Sequence, residues 1–439
     1  MKDSTKITIL VFSIVAALAL LALYSTFLDS SSLLASVGKV EKVYFADHIS
    51  PAHQAVIDKF NKKYVGRIEV VPVDLPFSKF STNERKELLA RSLRSKSDRL
   101  DVFSVDYIWT PRFAKWCVDL TPYFSREEQQ KIIYPAIQSC SKDGKLVAMP
   151  LYIDIGMMYY RKDIINRLPK ADEWHQTLRS SISWDELLRL VGLLGYTNKP
   201  FYLFQASDYE GLICNYFELV KSIDSSAFRG NTIDLRAPAA RQALQFMVDL
   251  VHRYRISPKN VVEFDENKSY DYLLENDAVF VRGWPNFLEN YRKVYRDTSK
   301  FTLIERAALP HFEGQRPTSV YGGWNLMVSK FSTKKEAAIE FVRYLQTEEA
   351  QKTMFEIGGY IPVNQKVYDD SLYCAQHSDL NYYRALVERG FHRPFLDDYT
   401  RISDIIAHFV HRAISKEISV DEALSQASAM IESKALLIK

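Results

Sequence analysis

Three carboxylates stand among aromatic side chains: Asp106 in VDYIW, Asp154 in PLYID and Glu210 in DYEG. Two carboxylates facing each other across a bond are what glycosidic hydrolysis needs, one as acid and the other as base or nucleophile. The same groups can instead accept hydrogen bonds from sugar hydroxyls while tryptophan and tyrosine faces stack on the apolar side of the ring. Taken alone, these residues fit both chemistries. Two further stretches, RGWP at 282–285 and YGGW at 321–324, set an indole beside glycine. Glycine lets another group approach the backbone closely or lets φ turn positive, and each stretch could equally be a tight turn next to a core ring.

Other chemistries lack their motifs. There is no GxSxG elbow, no GxxxxGK[ST] loop, no GxGxxG and no HExxH, which removes the common hydrolase, nucleotide and zinc-protease readings. Asp404, His408 and His411 fall on one helical face at i, i+4 and i+7 and could ligate a metal, but a solvated or capped helix face explains them as well. No metal or cofactor is assigned.

The elements that must position these residues alternate. KVEKVYFADH reads as a strand, SPAHQAVIDKFNKKY as a helix opened by Ser50 and Pro51, RIEVVPVDL as a strand, NERKELLARSLRSKS as a helix with Leu88, Leu89 and Leu93 on one face, and DVFSVDYIW as a third strand. Such alternation predicts an open α/β sheet with mostly parallel strands, whose ligands bind past the carboxyl ends, where Asp106 and Trp109 lie. GKLVAMPLYIDIGMMYYRKDIINR then reads as strand, turn, strand, and SWDELLRLVGLL as a helix with a capping box at Ser183 and Glu186. APAARQALQFMVDLVHRY is a long amphipathic helix with Leu244, Met247, Val248 and Val251 inward. DAVFVRGWP is a strand ending at Gly283, Trp284 and Pro285, and the two glycines of YGGW precede another strand-like run.

Composition and the N-terminus bound the setting. The 439 residues suffice for two or three domains, and 47% hydrophobic with 25% charged residues is the balance of a folded chain. A net charge of +3 with dispersed basic residues gives no stripe for phosphates, so no nucleic-acid partner is expected. The stretch from Ile7 to Leu28 carries no charge over about 22 residues, enough to cross a bilayer as a helix. Lys2 and Lys6 precede it and no Lys or Arg follows before Lys39, which sends the remainder outward. The segment 1–34 is read as a membrane anchor with a Ser-rich tether, in preference to a cleaved signal. Export permits disulfides, and Cys117 with Cys140 is the most local pairing of the four cysteines, which also include Cys214 and Cys374; buried free thiols are the other reading.

In chain order, SDRLDVFSVDYIW, DGKLVAMPLYIDIGMMYYRKDII, SWDELL, YEGLICN, RGWP, YGGWNLMVSKFSTKKEAAIEFVRYLQTEEAQ and GGYIPVN resemble the extracellular solute-binding proteins of carbohydrate ABC transporters, family 1, and most of all the maltose/trehalose-binding group. The resemblance spans roughly residues 41 to 433. It implies a type II periplasmic-binding-protein fold of two α/β lobes, each a mixed, mostly parallel sheet flanked by helices, joined by a hinge and closing on a sugar. Lobe 1 would comprise 41–152 and 319–371, and lobe 2 would comprise 153–318 and 372–439. Carried over by position, Arg85, Asp106, Tyr152 and Asp154 resemble polar or stacking contacts to the ligand, Trp284 with Gly323 and Trp324 a ring platform with bare backbone against it, and Tyr209 and Glu210 further contacts. The acidic residue that such proteins carry after the first strand has only Asp47 or His48 of ADHIS to answer to it. The function implied is extracytoplasmic capture of a disaccharide or short oligosaccharide, without chemistry on it, by a monomer that delivers it to an ABC transporter permease. A membrane-anchored sensor subunit for a signalling receptor and an exported glycosidase are the alternatives.

Overall fold

The computed structural model describes residues 40–76, 79–80, 82–289 and 299–437. The expected membrane segment at 7–28 lies outside them, and among the described residues no helix is long and apolar enough to cross a membrane.

The local signals in the sequence are realised as capped elements. The Ser50 side chain accepts from the His53 amide to open the Pro51–Lys63 helix. Ser183 and Glu186 satisfy each other's backbone N–H groups at the start of the Trp184–Leu193 helix, giving acceptors to two donors that would otherwise have no intrahelical partner. The Pro238–His252 helix buries Leu244, Met247, Val248 and Val251 together, as its spacing predicts. In the Thr82–Arg94 helix the buried face is Arg85, Lys86, Leu89, Ala90 and Leu93. Two cations thus share the inward stripe, and Leu88 is only half-buried.

Two sheets organise these elements. In the first, the Glu41–Asp47 strand lies parallel to both Ile68–Asp74 and Val102–Asp106. The ten-residue strand Ser319–Val328 runs antiparallel to Val102–Asp106 and to Met149–Ile155, and parallel to the short strand Gly390–Phe391. In the second, Met157–Arg161 is flanked by Ile304–Ala307 and Phe280–Gly283, both antiparallel, and Tyr202–Leu203 joins the latter in parallel. The second sheet is therefore not mostly parallel as expected. Hydrophobic periodicity tells which face of a strand is buried but says nothing about the direction of its neighbour.

The expected turn between Met149–Ile155 and Met157–Arg161 is also absent. A turn would pair these strands with each other, whereas a single residue, Gly156, separates them and each belongs to a different sheet. The chain crosses between the sheets at that glycine. A Cβ there would stand 1.9 Å from Oε1 of Glu218, so glycine is what lets the buried carboxylate pack against the crossing. The crossing is tied down where the Gly156 amide donates to the Val320 carbonyl at 3.0 Å. Helices cover both sheets, with Glu210–Ile223 packed on Pro238–His252 and Tyr399–Ile414. All four cysteines are free thiols; Cys140, Cys214 and Cys374 are buried and Cys117 is partly so.

Candidate functional site

The three parallel strands of the first sheet end in Asp47, Asp74 and Asp106, at the edge where open α/β sheets present their ligand sites. Strand register then gathers the candidates. Trp324 lies opposite Asp106 on one neighbouring strand and Tyr152 on the other, and Gly322 lies opposite Asp154. Cross-strand neighbours share a face, so one patch of the sheet carries two carboxylates, a phenol and an indole.

Arg85 reaches this patch from the Thr82–Arg94 helix. Its guanidinium stands 4.2 Å from the Trp324 ring centre, within the range of a cation–π contact, and donates to Asp47 Oδ1 at 2.6 Å. Burial would raise the Asp47 carboxyl, but His53 and Arg85 outweigh it and hold the group far below the ordinary range. His48 beside it is pushed down to about 4, by burial first and by the charge of His53 second. The Tyr152 ring packs on Tyr360 at 4.4 Å between centres, tilted by 40°, and the Tyr107 hydroxyl donates to the Tyr152 carbonyl at 2.9 Å.

Asp154 is the least compensated carboxylate of this patch. It is 5% exposed, and its Oδ1 has no hydrogen-bond partner among the described residues. Burial, reinforced by the charge of Asp106, pushes it up to about 7, so near neutrality it exchanges a proton or takes a donor with little electrostatic penalty.

The facing wall belongs to the second sheet. Trp284 follows the Phe280–Gly283 strand; its indole N–H donates to Glu266 Oε1 at 3.3 Å and its backbone N–H to the Tyr270 hydroxyl at 2.9 Å. The other Glu266 oxygen accepts from the Tyr209 hydroxyl at 2.7 Å. The Glu266 carboxyl is raised by burial, against the lowering effect of the Tyr209 hydrogen bond. The face of Trp284 carries the Arg282 guanidinium 3.9 Å from the ring centre. Its edge rests on the first sheet, where a Cβ at Gly322 would meet Trp284 Cζ3 at 2.8 Å.

The glycine facing Trp284 is therefore Gly322. Gly323, at φ +123°, faces the Tyr152 carbonyl, 2.5 Å from where its own Cβ would be, and the Tyr107 ring. Both glycines lie inside the Ser319–Val328 strand rather than ahead of it.

Glu210 and Asp106 are joined by a residue that the sequence reading missed. Arg393 donates through Nη1 to Glu210 Oε1 and through Nη2 to Asp106 Oδ1, both at 2.8 Å, and the Tyr399 hydroxyl donates to the same Glu210 oxygen at 2.7 Å. Glu210 is raised by burial, which prevails over the opposing charge of Arg393. Nothing local marks FHRPF as a site, since Arg393 and Asp106 are 287 residues apart. Tyr360 lies within GGYIPVN and could have been picked out there; Glu266 follows the helix cap Asp265 and reads as an ordinary first-turn acid.

The possible metal set does not assemble. His408 pairs with Asp208 at 3.1 Å, His411 donates through Nδ1 to the Ala206 carbonyl at 2.9 Å, and Asp404 faces Lys86 at 3.8 Å. Among the described residues there is no group of three ligands that could hold a metal ion.

Comparison with known proteins gives a consistent result. A family model described as bacterial extracellular solute-binding protein matches residues 55–377. A probable ABC transporter-binding protein of Deinococcus radiodurans is 28% identical over 322 residues, covering 71% of this chain and 73% of that protein. An arabinooligosaccharide-binding protein of Halalkalibacterium halodurans is 23% identical over 399 residues, or 88% and 84% of the two chains. Among solved structures, maltose-bound MalE3 of T. maritima superposes with a TM-score of 0.80 at 25% identity, covering 90% of this chain and 100% of that one.

Proposed function

The chain belongs to the bacterial extracellular solute-binding proteins, and from that premise we propose that it captures a carbohydrate between its two sheets and delivers it to an ABC transporter permease. The ligand is a disaccharide or short oligosaccharide, in keeping with the maltose and arabinooligosaccharide named for its relatives. The observation that carries this reading is the meeting of two walls, each built of carboxylates and rings: Asp154, Tyr152 and Trp324 on one side, Trp284, Tyr209 and Glu266 on the other. Carboxylate oxygens accept from sugar hydroxyls, and indole faces cover the apolar side of the ring.

The ligand leaves unchanged. Of the three carboxylates that could serve a glycosidase, Asp106 and Glu210 are bridged by the Arg393 guanidinium, where an acid and base would have to face a scissile bond. Lobe 1 is formed by 41–152 and 319–371 and lobe 2 by 153–318 and 372–439; the protein works as a monomer outside the cytoplasm, held at the membrane through residues 7–28. Calorimetric titration of the full-length protein in mild detergent with maltose, trehalose, sucrose, maltotriose and glucose, followed by thin-layer analysis, tests the proposal. Micromolar or tighter binding of one sugar recovered intact is expected. Recovered cleavage products would overturn it.

A further inference from the structure

Arg393 touches both sides of the cleft at once. Asp106, one of its partners, closes a strand of the six-stranded sheet; Glu210, the other, opens the Glu210–Ile223 helix, which packs on Tyr399–Ile414. The side chains of Arg393 and Glu210 are 2% and 5% exposed. A second polar contact crosses in the same place: Asp404 on the Tyr399–Ile414 helix meets Asn83 and Lys86 of the Thr82–Arg94 helix, at 3.4 and 3.8 Å.

A guanidinium buried between two carboxylates is compensated only while both stay in reach. If the walls separate, one carboxylate must leave and water must take its place, so the full set of contacts belongs to one arrangement of the lobes. The other buried pair differs. Glu218 holds Arg282 through two contacts and also accepts from the Val320 amide at 3.3 Å. It sits against Gly156, at the crossing itself, where rotation of the lobes displaces little.

We propose that Arg393 is a positioning residue that clasps the two walls of the cleft together, so that Asp106 and Glu210 serve closure and the ligand is read by Asp154 and the rings. This inference rests on the solute-binding reading. It makes the closed arrangement a populated state of the protein before ligand arrives, its share set by the clasp.

The test measures the distance between lobes with no sugar present. Val65 and Leu193 are exposed and are not among the residues of the site; a keto amino acid encoded at both positions in the full-length protein carries a dye pair for single-molecule energy transfer. The wild type should give mainly a short-distance population. Arg393→Met should shift the short-to-long ratio by about tenfold toward the long distance, and Arg393→Lys should restore part of it. Near-UV circular dichroism of each variant should match the wild type, which a merely structural role for Arg393 would not allow. If Arg393→Met fails to fold, Asp106→Asn replaces it, keeping shape while removing one charge from the bridge. An unchanged distance distribution in the folded variant overturns the clasp. A separate titration with maltose and the other sugars addresses the binding reading, whose failure would leave the distances as they are.

Discussion

Two arginines are buried where the sheets meet, and each is compensated in its own way. Arg282 donates to a single carboxylate, Glu218, through Nε at 3.2 Å and Nη2 at 2.8 Å among the described residues, and its guanidinium lies 3.9 Å from the Trp284 ring centre. Arg393 divides its donors between Asp106 and Glu210. The first pair is fixed to the crossing residues Gly156 and Val320 and cannot be taken apart without unmaking the connection between the sheets. The second spans elements that the crossing only tethers. The same ionic chemistry thus supports the fold in one place and a conformation of the fold in the other.

Removing one partner of each pair is the direct way to break that comparison. Arg282→Met leaves Glu218 charged and buried and should lower unfolding stability by about 4 kcal/mol, read from urea denaturation. A loss below about 1 kcal/mol would mean that Glu218 finds other compensation, and the two arginines would be alike. Gly323→Ala should rank next, at about 3 kcal/mol. Its φ of +123° strains any side chain, and its Cβ would face a backbone carbonyl that cannot move aside. Retention of wild-type stability there would show that the strand can shift and that the Trp324 register is loose.

Asp154 sharpens the contrast as an acid whose burial outweighs the one cation acting on it, Arg282. Its folded value, about 7, lies above the ordinary 3.8, so folding takes up a proton between these limits. The resulting cost grows as pH rises through that window and is complete above it. Asp154→Asn should therefore raise stability by up to about 4 kcal/mol at pH 8 and by almost nothing at pH 4. Equal effects at both pH values would remove the charge argument. Arg393→Met should have the smallest effect on global unfolding, about 1 kcal/mol, because opening lets Asp106 and Glu210 reach water. A loss as large as that of Arg282→Met would make Arg393 part of the fold itself.

What could be read from the sequence follows the range of each signal. The caps at Ser50 and Ser183 and the inward stripe of the Pro238–His252 helix depend on neighbours three or four residues away, and they stand as expected. Aromatic company marks Asp106 and Asp154, glycine beside an indole marks Trp324, and the family resemblance adds Tyr152; register brings all four to one patch. The direction of the second sheet's strands and the crossing at Gly156 were not legible, since alternation within a strand is the same whichever way its neighbour runs. Arg393 and Tyr399 were invisible for a related reason: their partner Glu210 lies more than 180 residues away in sequence, and no spacing rule reaches that far. For YGGW the residue types pointed to close approach, but only the strand's position reveals that Gly322 faces Trp284 and Gly323 faces Tyr107.

The central claim, that a sugar is held between the walls of Trp324 and Trp284, is tested most directly by calorimetric titration of the wild type, Trp324→Ala and Trp284→Ala with whichever panel sugar binds, alongside their thermal melts. Each substitution should weaken binding by on the order of 1 to 3 kcal/mol while the protein stays folded, as for a truncated anchor. Unchanged affinity in both folded variants would place the sugar elsewhere and contradict the account.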